Sequence, residues 1–230
     1  MRTFLLHLRN ALIFFFVSTV LMTIALRWVP VYMTPLMIIR CVEHLAEGDL
    51  PRMHHQWVPL TEISRHAPQA VMASEDNLFL QHNGFDFEQI SNAIAEERRT
   101  GRRRGASTIS QQTAKNVFLW NGGGWVRKGF EVYFTFLIEH IWGKQRIMEV
   151  YLNSIETGDG IYGVEAVARI NFGKPASKLT AGESALIAAT LPSPLKRDSA
   201  NPTKYLNKRR RQIVDLMGKI ETFPMPEAAE

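Results

Sequence analysis

From Ala11 to Leu26 the chain reads ALIFFFVSTVLMTIAL, without one charged residue. Crossing a bilayer takes about 20 helical residues. Extending the run upstream to Asn10 and downstream to Tyr32 supplies that length, with Arg27 placed to snorkel. Trp28 and Tyr32 suit an interfacial aromatic belt. Arg2 and Arg9 precede the run, which places the N-terminus on the cytoplasmic side and the body outside. A cleaved signal peptide is the alternative, but the apolar region is long for one and no small-x-small site directly follows. An uncleaved signal-anchor is the expectation. A second apolar stretch, Thr34 to Val42, is too short to span and suits an interfacial segment, a lipid-facing groove or core.

The full 230 residues leave room for one moderate domain behind this anchor. The expected division is an N-terminus at 1–10, a transmembrane segment at 11–32, a membrane-proximal segment at 33–57, a folded domain at 58–221 and a tail at 222–230. A net charge of +5 favours polyanions, anionic lipid or pyrophosphates without choosing among them. The single cysteine, Cys41, excludes an internal disulfide framework and a cysteine-based zinc site. The charged run Glu96–Arg104 suits a solvated loop, or contact with anionic headgroups. Nucleic-acid binding, its third reading, conflicts with an external body.

Ala73 to Asp86 concentrates chemistry. Glu75 and Asp76 follow the apolar Ala70–Ala73 and precede Phe79, with His82, Gly84 and Asp86 close behind. Desolvation at an apolar wall raises a carboxyl pKa and suits it to proton transfer. Taken alone, two acids at a helix end are more often solvated. Downstream, Ser107 or Thr108 opens a helix on which Gln111 and Lys115 share one face and Gln112 and Asn116 another. Amides beside an ammonium suit a sugar and a phosphate together, although a polar surface helix has the same pattern. After the Asn121–Gly124 loop a long helix begins near Trp125, with Phe130, Phe134, Leu137 and Ile141 as its core stripe. Arg127 and Glu131 on that helix form either a plain ion pair or, with Glu131 at the stripe's border, a second carboxylate of a site.

Val58 to Ala73 turns helical around Ala67, and Asp86 caps a helix carrying Phe87, Ile90, Ala93 and Ile94. Helical periodicity returns in Lys144–Asn153 beyond a break at Gly143, then in Val164–Ile170 and in Ser184–Thr190 behind a Thr180–Glu183 capping box. A basic last helix, Thr203 to Ile220, follows Asn201 as cap and Pro202 at the first position. Gly158–Gly163 spells G-x-G-x-x-G, but it follows a helix and lacks a βαβ setting, so the dinucleotide reading fails. Ser193–Lys196 spells S-x-x-K without a K-T-G partner and reads as chance. No alternation lasts long enough for a large sheet, so the expected fold is mainly α.

In order, the blocks Glu75-Asp-x-x-Phe79-x-x-His82-x-Gly84-x-Asp86, Gly105-x-Ser107-Thr-x-x-Gln111-Gln-x-x-Lys115-Asn116 and Arg127-Lys-x-x-Glu131 resemble the family 51 glycosyltransferases. Arg146-Ile-x-Glu149-x-Tyr151-Leu-Asn153, Gly158-x-x-x-x-Gly163 and Phe172-Gly-Lys174 continue the match, which runs from Val58 to Leu195. With a short anchor and no transpeptidase domain, the chain looks like the monofunctional biosynthetic peptidoglycan transglycosylases. The resemblance implies a lysozyme-like helical lobe with a small membrane-proximal jaw, held on the outer, periplasmic face of a bacterial inner membrane by one span. It implies polymerisation of lipid II, an undecaprenyl-pyrophosphate-linked disaccharide-peptide, into β-1,4 glycan strands, with inversion and release of undecaprenyl pyrophosphate.

Carried onto this chain, Glu75 resembles the general base for the acceptor 4-hydroxyl, and Glu131 the second glutamate, near the leaving pyrophosphate. Ser107, Gln111, Gln112, Lys115, Asn116, Arg127 and Lys128 resemble the donor-site residues, with Asp76, Phe79 and His82 as supports. The resemblance further implies a divalent cation, Mg²⁺ or Mn²⁺, held mainly by the pyrophosphate, and no organic cofactor. The partners it implies are lipid II, the growing lipid-linked strand, membrane lipids and cell-division or cell-wall synthesis proteins, with no nucleic acid. Two positions depart from the pattern: Gly123, where many relatives carry a basic residue, and Asn171, where an aromatic often precedes Phe172. A lysozyme-like hydrolase or lytic transglycosylase would share one glutamate, but must protonate a glycosidic oxygen. A non-catalytic glycan-binding scaffold would need neither Glu75 nor Glu131.

Overall fold

The computed structural model describes residues 1–101 and 105–227. Arg102–Arg104, the end of the charged run, therefore lie outside the described residues. Helix α1 (Arg2–Ala25) is the one helix among those residues long and apolar enough to cross a membrane. At 1.5 Å per residue it measures about 36 Å. It takes in Arg2 and Arg9 and stops at Ala25, so Arg27, Trp28 and Tyr32 lie beyond its end. Arg146 takes up the carbonyls that the stop leaves free. Its guanidinium donates to the Leu26 and Val29 carbonyls at 2.8 and 2.6 Å, and Pro30, with no N–H to give to Leu26, could not have continued the helical ladder. The only buried residues of α1 are Thr19 and Thr23.

Thr34 caps α2 (Pro35–Ala46), accepting from Met37 N with Pro35 at the first position. Leu36 and Met37 bury against Tyr162, while Ile38, Val42 and Leu45 stay exposed. A small sheet follows: β1 (His54–His55) runs parallel to β3 (Ile161–Tyr162), and β3 antiparallel to β2 (Glu156–Gly158). Arg40 and His44 clamp α2 to this sheet through Glu156 (2.8 Å) and Asp159 (2.9 Å).

The body is mainly α-helical. Helix α3 (His66–Glu75) packs on α9 (Ala181–Thr190) and α10 (Lys204–Met217). Helix α5 (Ile109–Phe118) packs on α6 (Trp125–Ile141) and α7 (Lys144–Ser154), and α7 meets α3 and α8 (Gly163–Phe172). Met72, Phe79, Ile109, Ile138, Ile147, Tyr151 and Leu152 are fully buried where these groups meet. Each such side chain stabilises the fold by about 1.5–3 kcal/mol. The α6 stripe is core as read, with Phe134 and Leu137 buried and Phe130 and Ile141 packed against them.

Asp86 caps α4 (Phe87–Thr100), accepting from Gln89 N at 2.8 Å. Its apolar positions are not core: Phe87 is 76% exposed, Ile94 is exposed, and Ile90 and Ala93 are half-buried. One expectation shifts. The last helix is capped by Thr203 instead of Asn201, because Asn201 donates to Asp198 at 2.8 Å while Thr203 accepts from Leu206 N. Asn171 donates to Ser199 at 2.8 Å and ties α8 to the loop before α10.

Candidate active site

Glu75 is the last residue of α3, and the chain must turn immediately after it. Asp76 makes the turn rigid. Its carboxylate accepts from the Ile109 amide at 3.0 Å, capping the first turn of α5, and from His82 Nε2 at 2.9 Å. Gly84 N donates to His82 Nδ1 at 3.2 Å, so Nδ1 is unprotonated and Nε2 carries the proton that Asp76 receives. Gly84 holds a φ of +89°, and a Cβ there would meet Thr135 Cγ2 at 2.8 Å and Glu139 Cγ at 2.9 Å. Only glycine fits both demands. Phe79 is fully buried, with the Lys144 ammonium 4.5 Å from its ring centre and bonded to Glu139 and to the His82 carbonyl. Asp76, Phe79 and His82 thus form the scaffold from which Glu75 projects.

Helix α5 then supplies the partners. Thr108, not Ser107, is its N-cap, closing a capping box with Gln111 and donating to the Gly84 carbonyl at 2.7 Å. Gln112 Nε2 donates to Glu75 Oε2 at 3.2 Å, and Ser74 Oγ donates to Glu75 Oε1 at 3.1 Å. Tyr151, fully buried on α7, donates to Gln112 Oε1 at 3.0 Å. That contact orients the amide so that its NH₂ group faces Glu75. Burial raises the Glu75 pKa above the ordinary carboxyl value, against the opposing pull of Gln112, Ser74, Arg209 and Arg197. Burial likewise raises the Tyr151 phenol well above its usual range, which keeps it a donor. Glu75 faces a cleft of ≈ 250 Å³ lined by Asn77, Ser107 and Arg209, among others.

One turn farther along α5, about 4.5 Å in rise, stands Lys115. Its ammonium is pulled below the usual lysine value by burial, with Glu131 opposing the shift and Arg127 adding to it. Among the described residues Lys115 makes no ion pair. Glu131, 4% exposed on α6, accepts from Arg127 Nη1 at 2.9 Å and from Lys128 Nζ. Arg127 Nε is buried with no partner among the described residues. Gly124 offers no side-chain cap to α6, so the free amides of its first turn add to this positive field.

The structure brings Glu75 to Gln112, and Lys115 to Arg127, Lys128 and Glu131. It places Ser107 on the exposed cleft rim and buries Gln111 in the capping box and Asn116 beside it. Sequence reading missed Ser74, Tyr151 and Arg209. Ser74 adjoins Glu75, Tyr151 sits inside the Arg146–Asn153 block, and Arg209 is one of several cations on α10, so none stands out by pattern. Among the described residues no group of three or more His, Cys, Asp or Glu side chains could hold a metal ion. Both Glu131 oxygens are engaged by cations.

The Transglycosylase family model matches residues 43–218. The chain is 60% identical over 221 residues to the biosynthetic peptidoglycan transglycosylase of Bacteroides thetaiotaomicron, covering 96% of this chain and 89% of the relative. It is 50% identical over 218 residues to the protein of that name in Caulobacter vibrioides, covering 93% and 92%. The corresponding Bdellovibrio bacteriovorus protein is 46% identical over 221 residues, with 96% and 87% covered. These matches run through the same ordered blocks that hold Glu75, Gln112, Lys115 and Glu131, and the chain belongs to the transglycosylase family.

Proposed function

We propose that the chain is a peptidoglycan glycosyltransferase. It polymerises lipid II into β-1,4 glycan strands on the outer face of a membrane that α1 crosses. The observation that supports this most is the division of labour along α5: a desolvated carboxylate at Gln112 and a cluster of cations at Lys115.

Glu75 takes the proton from the acceptor sugar's 4-hydroxyl, and the oxygen attacks the anomeric carbon of the lipid-linked strand. A glycosidic C–O bond forms as the bond to the undecaprenyl pyrophosphate breaks, and the pyrophosphate keeps the electron pair. Displacement from the opposite side converts an α-phosphate into a β-linkage. Lys115, Arg127, Lys128 and the α6 amides are suited to the charge that grows on the leaving group. Glu131 holds Arg127 and Lys128 in place and offsets their mutual repulsion. The leaving group departs without a proton, so this route needs no general acid. A divalent cation is read as a companion of the pyrophosphate, since no group of three or more metal-ligating side chains lies among the described residues.

A raised carboxyl pKa would equally serve a glycan-cleaving acid, and the substrate decides between the two. Purified chain in detergent should convert labelled lipid II to polymer that a β-1,4-specific hydrolase digests. Shortening of preformed strands, with lipid II left unused, would overturn the reading in favour of a cleaving enzyme.

A further inference from the structure

Next to the Glu75 cleft lies a second groove of ≈ 390 Å³, lined by Pro192, Arg197, Tyr205, Lys208, Arg209 and Gln212. Arg209 lines both, so the groove continues the cleft away from Lys115. Three of its six lining residues are cations and none is an acid. Arg197 is held in a fixed pose, donating to the Ala189 carbonyl at 3.0 Å with its guanidinium 5.1 Å from the Tyr205 ring centre. Among the described residues, Arg197, Lys208 and Arg209 form no ion pair. The one acid of α10, Asp215, is turned away to Lys219 beyond the helix end at 2.6 Å. Glu75 draws on Arg209 and Arg197 only from a distance, so the three cations around this concavity still repel one another, and an anion that enters relieves that repulsion.

We propose that this groove binds the peptide of the substrate through its free terminal carboxylate. This rests on the lipid II reading of the Glu75 cleft. Two anions on such a substrate compete for the assignment, the pyrophosphate and the peptide carboxylate. Position favours the carboxylate. The pyrophosphate is tied to a lipid and must stay near α1, which packs on α6, whereas the groove lies on α10, whose main neighbours are α3 and α9. A peptide joined to a sugar by its amino end leaves its terminal carboxylate free to reach past Arg209. Arg209 and Arg197 form a fork that suits a carboxylate, with Lys208 as a point charge at the rim.

Binding isotherms of the full-length chain in detergent test this, using lipid II with a free peptide carboxylate and the same molecule with that carboxylate amidated. The wild type should bind the free acid roughly tenfold more tightly, the ratio that a charge-assisted hydrogen bond gives. Arg209→Gln and Lys208→Gln should each shrink that ratio. Lys208, which lines the groove and not the Glu75 cleft, should leave affinity for the amide nearly unchanged on substitution, and that retained binding shows that the variant is folded. Arg209→Gln is read on the ratio alone, where any effect on Glu75 cancels between the two ligands. Equal binding of acid and amide by the wild type would overturn the proposal, as would a preference that survives both substitutions. Equal loss of both ligands in Lys208→Gln would assign the groove to a part of the substrate common to the two and overturn it too. Because the readout is affinity, its failure is separate from a failure of the base assignment, which is read on turnover.

Discussion

Tyr151 OH lies 3.0 Å from Gln112 Oε1, and that contact decides which end of the amide Glu75 meets. Burial pushes Glu75 toward its neutral form, and the Gln112 and Ser74 donors pull it back toward the carboxylate. A base must be ionised to act. Activity should therefore fall as pH drops through a value above the ordinary glutamate range. Tyr151→Phe frees the amide and weakens its bond to Glu75. A weaker donor stabilises the carboxylate less, so the Glu75 pKa climbs and the acidic limb of the kcat profile moves to higher pH. At neutral pH kcat should fall roughly three- to tenfold, with about 1–2 kcal/mol of stability lost from the unpaired amide oxygen. Uniform loss at every pH, with no shift of the limb, would reduce Tyr151 to a packing role. None of this coupling was visible in the sequence, because Tyr151 and Gln112 lie far apart along the chain and only the packing of α5 on α7 brings them together.

At the scale of elements, α5 is fixed at its start by Asp76, Thr108 and Gln111 acting on neighbouring amides. Thr108→Val keeps the shape but removes the oxygen that accepts from Gln111 N and donates to Gly84 O. Thermal or denaturant unfolding should show a loss of about 1–2 kcal/mol, whereas Ser107→Ala, on the exposed rim, should stay within about 0.5 kcal/mol. The helices were legible wherever a cap and an apolar period coincided, as at Asp86 and at Thr180 with Glu183. The sheet was not, because strands of two or three residues are too short for alternation to register. Its glycines explain themselves only in three dimensions. Gly163, with φ +80°, would place a Cβ 2.7 Å from the Asn153 carbonyl oxygen. The α4 positions mark the limit of such reading: helical spacing shows that a helix has an apolar face, not that anything covers it.

Across the whole molecule, the long apolar helix α1 and the cationic cluster belong to one unit. Phe16 meets the Tyr133 ring edge-on and Phe15 meets it at a tilt, Thr19 Oγ1 lies 2.9 Å from the Tyr133 hydroxyl, and Trp142 Nε1 donates to the Thr23 carbonyl at 2.7 Å. Polar contacts of this kind hold helices together where water is absent. They seat α6, and with it Arg127, Lys128 and Glu131, beside the apolar helix, where the pyrophosphate of a membrane-bound substrate would lie. The sequence placed both glutamates and the order of the blocks. It could not show that α5 joins Glu75 to the cations, since that follows from packing α5 between α6 and α7, with Gln112 reaching Glu75 at the end of α3. Glu75 and Lys115 are both held where burial disfavours their charged forms. The most direct measurement is lipid II turnover by Glu75→Gln, read beside lipid II affinity on the same preparation. Polymerisation should fall by at least two orders of magnitude, the scale of a lost general base, with affinity changed less than about threefold. Polymer formation near the wild-type rate would contradict the assignment of Glu75 as the base.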